Sequence, residues 1–396
     1  MKLKIAVVEL EGHAECLYSF CKMFENYSPK IYIFSNKAVY EELKNALNLE
    51  NFEWQVQENG IAIQDFLEKQ LTTINKCHVV LLNTVQKQLH QYYNLTIKPP
   101  IIWRIHNANA FLDRKNNMQF QFSPYMLWKD FSYIIRELLI QTESSKIKKM
   151  LNFVHFICFP NTIIENHVLQ KKHLNESKIF PAIPLSCSLL GFEKTEINKQ
   201  FNVTITGTID ERRKDYKLVL EAFALLLPKL KRPLQLTFLG QPKGPYGHRI
   251  VKAFRELMQK YESFKFVSFQ KRVPQDEFNA VMRQTDLLLA PILLQTRYKI
   301  YKEQYGLTKI SGSASDVIRY MKPAIFPKAY PLNNILKNVI DTYENVEDLA
   351  FLLEKKIHQF DFLEEKQAAL QTLKQHYQPE NMLLPILENL KKIAQT

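Results

Sequence analysis

Glycine is scarce in this chain. Nine occur in 396 residues, far below the ~7% of an average protein. Each is therefore expected to answer a backbone need rather than to fill a loop. Six of the nine, Gly207, Gly240, Gly244, Gly247, Gly306 and Gly312, fall between 207 and 312. Asp-x-Asp occurs nowhere, so no metal site is expected and cationic side chains must supply any charge stabilisation. No apolar run approaches the ~20 residues of a membrane span. The first apolar run, Ile5 to Val8, ends at Glu9; it is too short for a signal peptide and reads as a buried strand. The five cysteines, Cys16, Cys21, Cys77, Cys158 and Cys187, are odd in number and lack metal-ligand spacing. They fit a reduced, cytoplasmic compartment. Low-complexity tracts and short-period repeats are missing too.

What is present is a globular composition, 46% hydrophobic and 23% charged, in a chain long enough for two domains. The net charge is +13 and is concentrated. Residues 201–330 hold 23 Lys and Arg against 11 Asp and Glu, which leaves the rest near neutral. A charge excess confined to one segment points to an anionic partner there: nucleic acid, an anionic membrane surface or a phosphate-bearing ligand.

Strand-length apolar runs recur at 5–8, 31–34, 79–82 and 101–103, then at 203–206, in LQLTFLG, FKFVSF and DLLLAPI, and in PAIFP. Helical segments separate them, such as YKLVLEAFALLL with Leu218, Val219, Phe223, Leu226 and Leu227 on one face. Buried strands alternating with helices predict parallel α/β sheets. We expect two Rossmann-like doubly wound domains facing a cleft: a first domain over 1–185, a linker over 186–200 and a second domain over 201–375. A last helix over 376–396 is expected, crossing back to the first domain. Residues 346–394 read as helical. Residues 111–150 break the alternation, being rich in aromatics and ending in Lys146, Lys148 and Lys149. They suit either a membrane interface or aromatic packing in the first core.

Candidate sites lie after the strands. Gly207 ends one, and Arg212, Arg213 and Lys214 follow at a helix start. There the unpaired backbone amides and helix dipole favour an anion, and Arg and Lys clamp phosphate oxygens. A solvated charge run is the plain alternative. The stretch KEQYGLTKISGSASD offers Glu303 for sugar hydroxyls and exposed amides at Tyr305, Gly306 and Leu307. It also offers Lys309 for phosphate, and Ser311 and Gly312 at another helix N-terminus. In the first half, His106 and Asn107 follow a strand, as do Gly12 and His13. His106 is expected to orient a sugar or move a proton; Gly12, His13 and Asn107 are expected on the acceptor side.

Taken together, Gly207 with its basic residues, the strand ending at Gly240, FVSFQKRVPQDEF, DLLLAPI, EQYGL and YMKPAIFP resemble the group 1 glycosyltransferases. This is the retaining GT-B family that includes many bacterial surface-polysaccharide enzymes. The resemblance covers about 200–330 in sequence and 1–180 in layout. It implies a nucleoside diphosphate sugar held by the second domain and an acceptor held largely by the first. The family carries a Glu, seven residues, then a second Glu. Glu303 matches the first, which lies against the donor sugar. The second position falls on Ser311, so the carboxylate that contacts the ribose is absent. Arg212 or Arg213 and Lys214 match the family's basic pair, with one inserted residue. His106 matches its active-site His.

The expected function is metal-independent, retaining transfer of a sugar from a nucleotide-sugar to a glycan or lipid-linked acceptor in surface polysaccharide biosynthesis. The setting is cytoplasmic, at most peripheral to an anionic membrane, with no cofactor and no nucleic acid. Three alternatives differ in class: a non-catalytic nucleotide-sugar-binding or partner-binding scaffold, a nucleic-acid binder and an epimerase acting on UDP-sugars.

Overall fold

In the computed structural model the described residues are 3–27, 29–47, 50–119, 131, 135, 142–188, 200–359 and 361–395. The chain divides into two compact units. Unit 1 comprises Met1–Cys187, Arg297–Ile310 and Pro379–Thr396, and unit 2 comprises Ser188–Thr296 and Ser311–Gln378.

Unit 1 is built on a parallel sheet of β1 (Lys4–Glu9), β2 (Lys30–Asn36), β3 (Phe52–Gln57), β4 (Val79–Leu82), β5 (Ile101–Arg104) and β6 (Phe156–Cys158). Its strand order is β3-β2-β1-β4-β5-β6. The register aligns Ile5 with Ile31 and Val79, so the apolar runs stack across the sheet. Central strands such as VVLL are buried at every position, as a sheet covered on both faces requires.

Unit 2 repeats the design with β7 (Phe201–Thr206), β8 (Leu234–Leu239), β9 (Phe264–Ser268), β10 (Leu287–Leu289), β13 (Ala324–Pro327) and β14 (Ile340–Tyr343). The order is β14-β13-β10-β7-β8-β9, the same winding as in unit 1. Between β10 and β13 the chain forms the two-stranded sheet of β11 (Gln295–Tyr298) and β12 (Tyr301–Gln304). Aromatic edges, Phe238 against Phe254 and Phe266 and Phe223 against Phe254, fill the unit 2 core.

The expected runs form strands, but the sequence reading missed β3, β6, β14 and the β11–β12 pair. The expected boundary at 186–200 also needs two refinements. The units divide between Cys187 and Ser188, and Arg297–Ile310 returns to unit 1. Ile300 and Tyr301 enter the unit 1 core, and Tyr301 bonds Arg114. The helix Pro379–Ile393 belongs to unit 1 and packs on the helix Ala14–Met23. Most of the linker, 189–199, lies outside the described residues.

Much of the aromatic segment, 120–130, 132–134 and 136–141, also lies outside them. Of its described part, Phe111, Ile147 and Met150 are buried, and Phe131 is exposed. Lys148 and Lys149 lie exposed on the helix Thr142–Phe153. Among the described residues no helix is long and apolar enough to cross a membrane.

Candidate functional site

A doubly wound sheet binds ligands beyond the carboxyl ends of its strands, where the strand order reverses. In unit 2 that switch lies between β7 and β10. Lys214 occupies it. Its backbone pairs with Ile292, just past β10, while its Nζ donates to the carbonyl oxygen of Thr206, the last residue of β7. The flanking chain is fixed in the same way. Asp215 donates its amide to Pro291 O at 2.7 Å, and Leu293 donates to Arg213 O at 3.0 Å.

Gly207 follows at φ +89, and a Cβ there would stand 3.2 Å from Lys214 Nζ. Two further glycines let the 207–209 turn fold inward. A Cβ on Gly240 would lie 2.2 Å from Gly207 O, and one on Gly247 would lie 2.7 Å from Ile209 O. These glycines serve the approach of one loop to another. Gly312 meets nothing within 4 Å, so no close approach demands it.

Lys214 is 8% exposed. Burial pulls its pKa down to about 8, with Asp316 opposing the shift and Arg213 adding to it. An ammonium has three donors, and Thr206 O takes one of them. Asp316 lies on the helix Gly312–Tyr320, which packs on β7. Ser311 is the N-cap and its side chain makes no capping bond. The helix also buries Ser313, Ser315, Asp316 and Arg319, with Arg319 Nη1 3.8 Å from Asp316 Oδ1. Arg212 and Arg213 are exposed. Arg212 is paired with Asp210, Nη2 to Oδ2 at 3.2 Å, and its side chain is otherwise exposed.

In unit 1 the order reverses between β1 and β4. Glu9 ends β1 and Asn83 follows β4, and they meet: Asn83 Nδ2 donates to Glu9 Oε2 at 2.6 Å. Asn83 Oδ1 accepts from Arg104 Nη2, so one amide bridges a buried carboxyl and a buried guanidinium. Arg104 also donates to Ile183 O at 3.2 Å and Pro184 O at 3.3 Å. Burial raises Glu9 to a pKa of about 7. Its Oε1 accepts from the amides of Glu11 and His13, each at 3.3 Å, which fixes the turn through Gly12 at φ +93.

His106 Nε2 lies 3.1 Å from Asn83 O. A carbonyl accepts only, so Nε2 carries the hydrogen and Nδ1 is left as an acceptor. Burial, then Arg104, pushes His106 down to a pKa of about 3, so the ring is neutral at physiological pH. It is suited to accept a hydrogen bond from a hydroxyl, not to shuttle protons as an acid. His13 stacks on it at 6.1 Å between centroids. Burial lowers the His13 pKa, but the bond and charge of Glu15 outweigh this and the net shift is upward.

The stretch through Glu303 departs most from expectation. Glu303 is buried in unit 1, where Oε1 accepts from the Ala110 amide at 2.9 Å. Ala108 donates its amide to Thr308 O at 2.9 Å, and Asn107 bridges Lys309. Burial raises Glu303 to about 7, against bonds from Thr308 and Ala110. Two of the three amides expected to be exposed bond within the turn. Gly306, at φ +85, donates to Lys309 O at 2.7 Å, and Leu307 to Gln304 O at 3.2 Å. Tyr305 is buried, with Lys309 Nζ 5.8 Å from its ring centre. The expected donor set is thus divided. Gly207, Arg212, Arg213, Lys214, Ser311 and Gly312 belong to unit 2. Tyr305, Gly306, Leu307 and Lys309 belong to unit 1 with Gly12, His13, His106, Asn107 and Glu303.

No family model matches the chain, and no curated protein matches its sequence. Solved structures do match over its whole length. Anabaena HepE, solved with UDP and glucose, is 14% identical, with 98% of this chain and 100% of that one covered at a TM-score of 0.60. The pneumococcal O-GlcNAc transferase GtfA, solved with UDP and GlcNAc, is 11% identical over 100% of both chains at 0.61. Sucrose-phosphate synthase from Thermosynechococcus elongatus is 12% identical over 99% of both at 0.60. The chain has the GT-B fold.

Within that GT-B frame, Glu9, Asn83, Thr84, Arg104 and Asp316 went unread in the sequence. The signal was a polar residue directly after a wholly apolar strand, as in VVLLNT, or closing one, as in IIWR. Such residues usually meet solvent. Here the first four are buried because they satisfy one another or the neighbouring backbone.

Proposed function

We propose that this chain is a glycosyltransferase that takes its sugar from a nucleoside diphosphate donor. The observation that carries the reading is Lys214: a buried ammonium at the unit 2 switch point, beside Gly207 and directly before the helix Tyr216–Leu226. A diphosphate satisfies the remaining donors of such a cation, and the helix amides add to the attraction. The negative charge that develops on the departing diphosphate is stabilised there without a metal. The complexes of HepE and GtfA with UDP support a uridine nucleotide as the first to test.

In unit 1, neutral His106 offers Nδ1 to a sugar hydroxyl. Glu303 positions the helix Ala108–Leu112 that follows His106 and Asn107, and it offers Oε2 as a further acceptor. Retention of configuration, a glycan or lipid-linked acceptor and a role in surface polysaccharide assembly rest on the resemblance to group 1 glycosyltransferases. A binding-only scaffold is the second reading, favoured by Ser311 where the family has its second Glu.

The test is incubation of purified protein with UDP-sugars in EDTA, with release of UDP followed with and without candidate acceptors. Acceptor-dependent UDP release supports transfer. Binding with no release in any mixture selects the scaffold, and isomerised donor without UDP release selects an epimerase.

A further inference from the structure

The turn after β1 gathers three metal-ligating side chains of different kinds. His13 Nδ1 lies 3.2 Å from Glu15 Oε1. Cys16 Sγ lies 4.0 Å from the same oxygen. The three ligand atoms fall within 4.8 Å of one another. The sugar transfer proposed above uses neither Glu15 nor Cys16. We propose that His13, Glu15 and Cys16 form a binding site for a borderline-soft divalent cation, with Zn2+ the ion whose chemistry it fits.

The ligand types select the metal. Mg2+ and Ca2+ seek oxygen alone, whereas Zn2+ accepts thiolate, imidazole and carboxylate together. Tetrahedral Zn2+ with bonds of about 2.0–2.3 Å keeps its ligand atoms roughly 3.3–3.7 Å apart. The nitrogen and oxygen, 3.2 Å apart, are already near that spacing, and the sulfur lies 4.0 Å from the oxygen. Three protein ligands leave the fourth position to water, the pattern of an open zinc site.

Cys16 is buried in the first turn of the helix Ala14–Met23, and His13 stands at the N-cap of the same helix. The sequence reading found no metal-ligand spacing among the cysteines, because this site draws one ligand of each kind from four consecutive residues.

The test titrates the full chain with Co2+ under a non-thiol reductant. The expected result is one equivalent bound, with a sulfur-to-cobalt charge-transfer band and intense visible bands of tetrahedral cobalt, displaced by one equivalent of Zn2+. Cys16→Ser removes the charge-transfer band. Glu15 is exposed and His13 half-buried, so Glu15→Gln and His13→Gln test the site without disturbing the core. Each weakens Co2+ at least about tenfold while the band remains at saturation. No band, or a band unchanged in Cys16→Ser or in both other variants, overturns the proposal. The readout involves no sugar or nucleotide, so its outcome is independent of the transferase reading.

Discussion

The side-chain nitrogen of Lys214 donates to the carbonyl of Thr206 and lies 3.2 Å from where a side chain on Gly207 would begin. The two residues therefore specify each other. A cation is held at the end of β7, and the residue above it must have no side chain and must tolerate φ +89.

Gly207→Ala should fail on both counts. The positive φ strains any other residue, by about 1–3 kcal/mol, and the new methyl presses on the ammonium. We expect that loss in urea unfolding, together with weaker nucleotide binding. Gly240→Ala should be worse, since its methyl would overlap Gly207 O at 2.2 Å. Gly312→Ala should be neutral or stabilising by up to about 1 kcal/mol, because it opens a helix with free space around it. Equal losses in all three variants would contradict this ordering.

Nucleotide affinity should depend on the charge of Lys214. Its pKa in the folded protein is about 8, and a bound diphosphate favours the protonated form. Binding above pH 8 therefore takes up a proton, and affinity falls as pH rises, by roughly fivefold over the first unit above that value and approaching tenfold per unit beyond it. Calorimetry in buffers of different ionisation enthalpy measures the uptake. The slope should vanish in Lys214→Met.

The pH dependence of stability should carry the mark of Glu303. Its folded pKa, about 7, exceeds the usual 4.5, so the folded state holds its proton more tightly. The favourable contribution is complete below about pH 4.5 and is lost as pH rises to about 7. Glu303→Gln keeps the bond to the Ala110 amide and cannot ionise. It should flatten this part of the profile and stabilise the protein at pH 8 by on the order of 1–3 kcal/mol. A profile unchanged from the parent would show that the carboxyl is not the group titrating.

Asn83 should matter more to stability than its size suggests. Asn83→Ala strips one partner from both Glu9 and Arg104 and leaves two buried polar groups short. A loss of about 2–4 kcal/mol is expected. The carbonyl that holds His106 survives, so the His106 imidazole should stay neutral from pH 8 down to about 4. NMR of the ring resonances checks both proteins.

The sequence was legible where one force acted alone. Apolar or β-branched runs such as VVLL and VTIT became central strands, and the glycines marked real constraints at 207, 240 and 247. It was not legible where burial and polarity compete. FEWQVQ forms the edge strand β3 with only Phe52 buried, and its alternating polar residues hid it. Glu303 was placed against the donor sugar by its neighbours in the chain. Contacts made far away in sequence, with Ala110 at the helix start and through Tyr301 with Arg114, assign it to unit 1. The amides of Gly306 and Leu307 read as open because a turn's internal bonds leave no trace in residue type.

The central claim is that Lys214 receives a nucleotide diphosphate. Isothermal titration of UDP, GDP, ADP and TDP in EDTA at pH 7, with the parent protein and Lys214→Met, tests it most directly. The account predicts that one nucleotide binds the parent and binds the variant at least tenfold more weakly. It also predicts that the variant melts no lower than the parent, since a buried charge has been replaced by an apolar side chain of similar length. Equal affinity in the two proteins, or no binding by either, would contradict it.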